Sequence, residues 1–394
     1  MAIEPREGGL EPAAREADER LAEVSDAFDL LLDLTPTNAD EAFAEFERGG
    51  GARAPCFTYR DRETDPALLR EQLAALDLDS VEEATLSELF RQKRDELELR
   101  IETLLARGTP AALECTRKLY GDVEDALFTL AQDILERFPE EENLTGRPVL
   151  DAAGFARLAE AELDHYRSID PGLQSTVAVR DDVAGLMVSN GNLLVGRSVK
   201  IPVARVQALL QHEIGTHVLT WCNGLASPLK LLHCGLARYE ELQEGLAVLS
   251  EYLSSGLDSG RLRLLAARVV AVRLLTEGAE FIETFRALAG GHGFERMTAF
   301  TVTMRVYRGG GLTKDAIYLR GLARLREHLS AGGRLEPLFA GKIGTEHVSV
   351  IQDLLQRGVL QSPRLRPRWL ENPDAVRRLE QVRSASSVLD LAGG

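Results

Sequence analysis

Residues 211–217 read QHEIGTH, and how the two histidines of this segment are read decides the rest of the chain. His212 and His217 flank Glu213 in the pattern His-Glu-x-x-x-His. Two imidazoles beside a glutamate are the donor set of a hydrolytic metal site. The histidines bind a metal such as zinc, and the neighbouring carboxylate takes a proton from metal-bound water. The spacing needs a local break. Such histidines usually stand at i and i+4, about 40° apart around a helix, whereas i and i+5 are about 140° apart. Both reach one ion only if the helix opens into a π-type bulge or ends between them. Gly215 lies between them and lowers the cost of that distortion. The bland alternative is a helix carrying two unrelated histidines.

A hydrolytic site needs a third protein ligand and an open position. Residues 238–253, RYEELQEGLAVLSEYL, offer Glu240, Glu241, Glu244 and Glu251 on a predicted helix. Glu244 precedes Gly245-Leu246-Ala247, and a carboxylate entering an apolar face is costly unless it is paired or metal-bound. Glu240, one turn away, is the rival ligand. Glu251, two turns on, suits a supporting position behind a ligand. His233 is a weaker rival on a predicted loop.

A third segment, RVYRGGGLTKDAIYLRG at 305–321, places Arg305, Arg308, Lys314 and Arg320 around three glycines. The glycines end one helix in a tight loop, and Lys314-Asp315 open the next. Arginine binds a carboxylate through a bidentate fork, and a lysine at a helix N-terminus attracts an anion by charge. Arg305, Arg308 and Lys314 are the substrate-binding candidates. Tyr307 and Tyr318 are candidates to donate a hydrogen bond to a tetrahedral oxyanion. A capped turn with solvated cations is the alternative.

Outside these segments the pattern is mostly helical. Periodicity predicts helices over 11–33, 38–48, 66–76, 80–107, 109–138 and 150–166, then over 202–223, 239–255, 262–289, 294–307 and 313–330. The β signal is confined to STVAVRDD, AGLMVSNGN and LLVGRSVKIP, with Asn190-Gly191 as a hairpin turn. The edge of that hairpin, within 184–196, could pair with an extended peptide. The expected organisation is a disordered lead-in at 1–10, an N-terminal helical region at 11–140, a metallopeptidase domain at 141–383 and a flexible tail at 384–394, with 138–148 as linker.

Composition sets outer limits. The 394 residues are 44% hydrophobic and 27% charged, an ordinary globular balance. No apolar run approaches the roughly 20 residues needed to cross a bilayer. The acidic start MAIEPREGGLEPAAREADER lacks the apolar core of a secretory signal. Cys56, Cys115, Cys222 and Cys234 form no CxxC pair and suit the reducing cytoplasm. The net charge is -16, with 14 acids against 4 bases in residues 1–50 and 21 bases against 13 acids in 261–394. An acidic whole argues against nonspecific nucleic-acid binding, and the basic last third leaves room for a local anion.

HEIGTH followed by QEGLA and then RVYRGGGLTKDAIYLRG resembles the flavohaemoglobin expression-modulating QEGLA motif family. Its eukaryotic relatives include tubulin tyrosine carboxypeptidases. The resemblance spans about residues 140–370 and rests on three separated motifs in order. It implies that His212, His217 and Glu244 bind zinc and that Glu213 is the general base. The resulting expectation is an α+β, predominantly helical protein. A zincin-like metallopeptidase domain with a small β-sheet follows an N-terminal helical region. Its activity is that of a zinc carboxypeptidase acting on a peptide or protein C-terminus. An aminopeptidase or endopeptidase on the same site is one alternative. A non-catalytic regulatory or partner-binding protein is the other, its structural zinc closed by His233, Cys222 or Cys234 as fourth ligand.

Overall fold

The computed structural model describes residues 10–138 and 148–391. Most of the expected lead-in, the linker between its end residues, and the last three residues of the expected tail lie outside the described residues. The described chain is predominantly helical with two small sheets, an α+β architecture. The strands are β1 (Val149–Asp151), β2 (Val177–Arg180), β3 (Leu186–Ser189), β4 (Asn192–Gly196) and β5 (Lys200–Pro202). β1 pairs antiparallel with β5. The other sheet has the order β2-β4-β3, with β2 parallel and β3 antiparallel to β4. The hairpin turn forms at Asn190-Gly191, both at positive φ (45° and 71°), and leaves β3 as a sheet edge.

The expected helices form, with breaks that periodicity alone does not reveal. The 11–33 stretch divides into Pro12–Asp26 and Leu30–Asp33, because the Asp29 carboxylate accepts the Leu32 N–H and starts a new helix. The 109–138 stretch divides into Ala111–Tyr120 and Asp125–Arg137. Residues 388–391 make a 3-10 turn that buries Val388 and Leu391 in the core, since both are apolar and the helix Pro373–Ser384 delivers them to it.

One buried core draws on both the N-terminal helices and the rest of the chain. Asp18 ties the two, accepting the N–H groups of Lys230 and Leu231 at 2.6 and 2.9 Å. Burial pushes its carboxyl up to about 6 despite these bonds.

At the centre lies the helix Tyr239–Leu253, which carries QEGLA and is buried without interruption from Leu242 to Leu253. It crosses the helix Ile317–Ser330 where two glycines meet. A Cβ on Gly321 would stand 2.1 Å from the Glu241 carbonyl oxygen, and one on Gly245 would stand 2.5 Å from the Gly321 carbonyl carbon. The obstacle is backbone, which cannot step aside as a side chain does. Gly321→Val is therefore expected to cost at least the roughly 1–3 kcal/mol typical of overpacking. Urea denaturation checks this, with Gly290→Ala, whose added Cβ meets nothing within 4 Å, as the control.

Candidate metal centre and its cavity

The segment that bears both histidines is one continuous helical rod in three parts. Val206–His212 is α-helical, Glu213–Val218 is a π-helix, and Leu219–Leu225 is α-helical again. The break expected from the i, i+5 spacing is thus a π-bulge. The inserted residue brings position i+5 round to the angular place of i+4, so both imidazoles point the same way. Their ring centroids are 5.1 Å apart at an interplanar angle of 74°.

A bulge leaves a backbone carbonyl without its α-helical partner, and here side chains satisfy it. The Thr216 hydroxyl donates to the Gln211 carbonyl at 3.0 Å. Thr216 Oγ1 lies 3.0 Å from Ser250 Oγ, which accepts the Trp369 indole N–H at 3.3 Å. The directions are consistent: Trp369 donates to Ser250, Ser250 to Thr216, and Thr216 to the carbonyl. Thr216→Val keeps the shape and removes the link, so stability is expected to fall by about 1–3 kcal/mol. Denaturation midpoints, together with faster amide exchange across 213–218, check this.

His212, His217 and Glu244 place one donor atom each within 4.8 Å of one another. Glu244 Oε2 lies 3.9 Å from His212 Nε2 and 3.7 Å from His217 Nε2. Glu213 Oε1 lies 4.0 Å from His212 Nε2. Glu244 is only 8% exposed, and its Oε2 is buried without a hydrogen-bond partner. Its other oxygen accepts from Lys314 Nζ at 2.8 Å. Burial would raise the Glu244 carboxyl, but Lys314 and then His217 and His212 hold it well below the usual range. Burial would likewise lower Lys314, and Glu244 keeps it above the usual lysine value.

Behind His212 stands Glu251, whose Oε1 lies 2.7 Å from His212 Nδ1. Glu251 also accepts from Arg205 and, through both oxygens, from Arg261 at 2.8 and 2.9 Å. It is fully buried, yet Arg261, His212 and Arg205 overcome that burial and hold it well below the usual range. An ionised Glu251 can only accept, so His212 Nδ1–H donates to it and Nε2 is the nitrogen that faces Glu244. Burial would lower the His212 pKa, and the bond to Glu251 and the nearby carboxylates of Glu213, Glu251 and Glu244 raise it instead.

The rival ligands are occupied elsewhere. Glu240 accepts from Arg100 and from the Tyr120 hydroxyl. His233 Nε2 pairs with Asp26 at 2.9 Å, and with Cys234 these form a separate donor group. Cys222 Sγ meets the Ser175 hydroxyl at 3.6 Å. Among the described residues no fourth donor joins His212, His217 and Glu244, so the donor set is open.

These side chains face a cavity of about 1710 Å³, walled also by β3 and by Ser25, Asp26 and residues 28–31 of the N-terminal region. Arg305, Arg308, Lys314 and Tyr318 line it. Arg305 makes a fork to Asp315 at 2.6 and 2.7 Å. Tyr318 has the Lys314 ammonium 5.3 Å from its ring centre, which brings it to the donor set. Tyr307 is the exception among the expected site residues. Its hydroxyl donates to the Ala279 carbonyl at 2.5 Å and meets Thr284 at 2.7 Å, while its ring packs on Phe281. Helix Arg296–Tyr307 turns it to this inner face, so it is a packing residue rather than an oxyanion donor. Sequence reasoning missed Arg205, Arg261 and Arg268. The only local sign of Arg261 and Arg268 is the basic excess of residues 261–394, which also includes solvated surface arginines, and Arg205 lies outside that stretch.

Fold and site together define a helical α+β protein with an open histidine–histidine–glutamate donor set at the floor of a large cavity. The chain belongs to the microtubule-associated tyrosine carboxypeptidase family, whose model matches residues 44–387. The match takes in the N-terminal helices from Pro66–Ala74 to Asp125–Arg137 as well as the three motifs, and leaves out nearly all of the acidic stretch 1–50. No curated protein matches the chain. Among solved structures, a putative lipoprotein from Colwellia psychrerythraea is similar at 15% identity and a TM-score of 0.41. The similarity covers 80% of this chain and 66% of that one, just under two thirds of its length. Among the described residues no helix is long and apolar enough to cross a membrane.

Proposed function

We propose that the chain is a zinc-dependent metallocarboxypeptidase that removes a C-terminal residue from a peptide or protein, on a zincin-like site. Family membership supports the carboxypeptidase activity. The observation that carries the metal is Glu244 Oε2, a buried acceptor with no hydrogen-bond partner that faces two imidazole nitrogens at 3.7 and 3.9 Å. A carboxylate oxygen left bare at such burial is costly, and a cation is the partner this donor set fits. Held by His212, His217 and Glu244, zinc would supply Lewis acidity toward water and the scissile carbonyl.

The chain's own residues do the remaining work. Glu213 takes the proton of the attacking water and delivers it to the leaving amine. Lys314 engages one oxygen of Glu244 and leaves the other free for the metal. Glu251 fixes the tautomer of His212. Tyr318, on the cavity wall, donates to the developing oxyanion. The open donor set favours this reading over a structural metal. The family's description directs the first trial to protein tails ending in tyrosine.

The test pairs two acetylated peptides that differ only at the last residue, one a free acid and one an amide. Release of the terminal amino acid from the acid and none from the amide is expected, with loss of activity under a chelator and return on added zinc. Cleavage that survives amidation would count against a carboxypeptidase.

A further inference from the structure

Around the Tyr318 ring the fold gathers more positive charge than it neutralises. Arg268 comes from the helix Ser259–Thr276, and Arg305, Arg308 and Lys314 come from the segment 305–314. Four cations face two carboxylates, Asp315 and Glu244. Two of the cations are committed. Arg305 uses its Nε and Nη2 on Asp315, and Lys314 is bound to Glu244. The other two make no hydrogen bond to a carboxylate among the described residues. Arg308, 4% exposed, donates only from Nη1, to the Thr35 hydroxyl at 3.0 Å, and its Nε and Nη2 are buried without partners. Those two nitrogens form the edge with which Arg305 grips Asp315, the geometry that matches a carboxylate. Arg268 makes no hydrogen bond among the described residues. Its guanidinium carbon stands 4.6 Å from the Tyr318 ring centre, and its Nε is 3.7 Å from Asp315. Both arginines line the cavity that holds His212, His217 and Glu244.

We propose that Arg268 and Arg308 together receive the free C-terminal carboxylate of the substrate, while Arg305 and Lys314 only position Asp315 and Glu244. The assignment rests on the carboxypeptidase reading. It replaces three interchangeable cation candidates with a specific pair, one member of which the sequence motifs do not contain. Burial, with Arg305 as a like-charged neighbour, pushes both guanidinium groups down to about 10, and Asp315, already gripped by Arg305, offsets only part of this. A bound carboxylate would fill the empty fork and restore that balance. The Tyr318 ring has Arg268 at 4.6 Å and Lys314, the partner of Glu244, at 5.3 Å from its centre, which ties one member of the pair to the metal donors.

The test compares the parent protein with Arg268→Gln, Arg308→Gln and Arg268→Lys, the last keeping a charge over Tyr318 without a fork. Two readouts are used. In the zinc-loaded proteins, KM for the free-acid peptide is expected to rise about 10–100-fold in each glutamine variant, with kcat and zinc content little changed. In metal-free protein, N-acetyltyrosine is expected to raise the melting temperature of the parent, N-acetyltyrosinamide is not, and the variants are expected to lose the difference. If Arg308→Gln does not fold, the two Arg268 variants carry the test. Variants that keep the parent's KM and its acid-selective shift overturn the proposal, even with the carboxypeptidase activity intact. A parent that cleaves neither peptide, yet shows an acid-selective shift that the variants lose, keeps the anion site and defeats the peptidase reading instead.

Discussion

Glu213→Gln is expected to lower kcat by about 10²–10⁴-fold, the contribution of a positioned general base, while zinc content stays near one per chain. The substitution keeps size and shape and removes only the ability to take a proton. Glu213 stands outside the three-donor group, 4.0 Å from His212 Nε2, so zinc content is expected not to depend on its charge. Metal analysis beside a single-turnover assay separates the two effects. Full turnover in the variant would sink the assigned role. Zinc loss in it would mean that Glu213 is a ligand and that the base lies elsewhere.

Glu244→Ala is expected to do the opposite and abolish stoichiometric zinc binding, and it should also weaken the fold. Lys314 is 4% exposed and bonded to Glu244 at 2.8 Å. Removing the carboxylate leaves a buried ammonium unpaired, a loss of about 3–5 kcal/mol for broken buried pairs of this kind. The double variant Glu244→Leu with Lys314→Met removes both charges. Most of the stability should return, because apolar replacement of a buried pair is often neutral, but zinc binding should not. Urea denaturation and metal analysis of the single and double variants close the cycle. Zinc retained in Glu244→Ala would reopen the choice of third ligand.

Both predictions follow from residues that could be singled out before any coordinates. The spacing of His212 and His217 demanded a bulge, and the π-helix Glu213–Val218 supplies it. The chemistry of two imidazoles does not work at 140° on an ideal helix, so the requirement was geometric and local. Glu244 stood out because a charge in an apolar run needs a partner. The hairpin followed from Asn190-Gly191, where the turn depends on the backbone of two adjacent residues. Most helices were legible for the same reason. Periodicity is a property of neighbours in sequence, and the breaks that escaped it, such as Asp29, depend on one capping side chain.

The His-Glu-x-x-x-His segment, the distortion its spacing requires and the helical class were therefore determined by the sequence itself, because each is written within a few consecutive turns. Tertiary structure decided which charges are free to act. Glu240 could rival Glu244 until Arg100 and Tyr120, more than a hundred residues earlier, claimed it. Tyr307 and Tyr318 looked alike until helix packing turned one to Thr284 and the other to the cavity. Arg305 and Arg308 lie one turn apart, yet Asp315 engages the first and leaves the fork of the second empty. Gly245 and Gly321 acquire their meaning only where their helices touch. A buried charge takes its role from whichever partner the fold brings within about 3 Å, and that partner comes from any part of the chain.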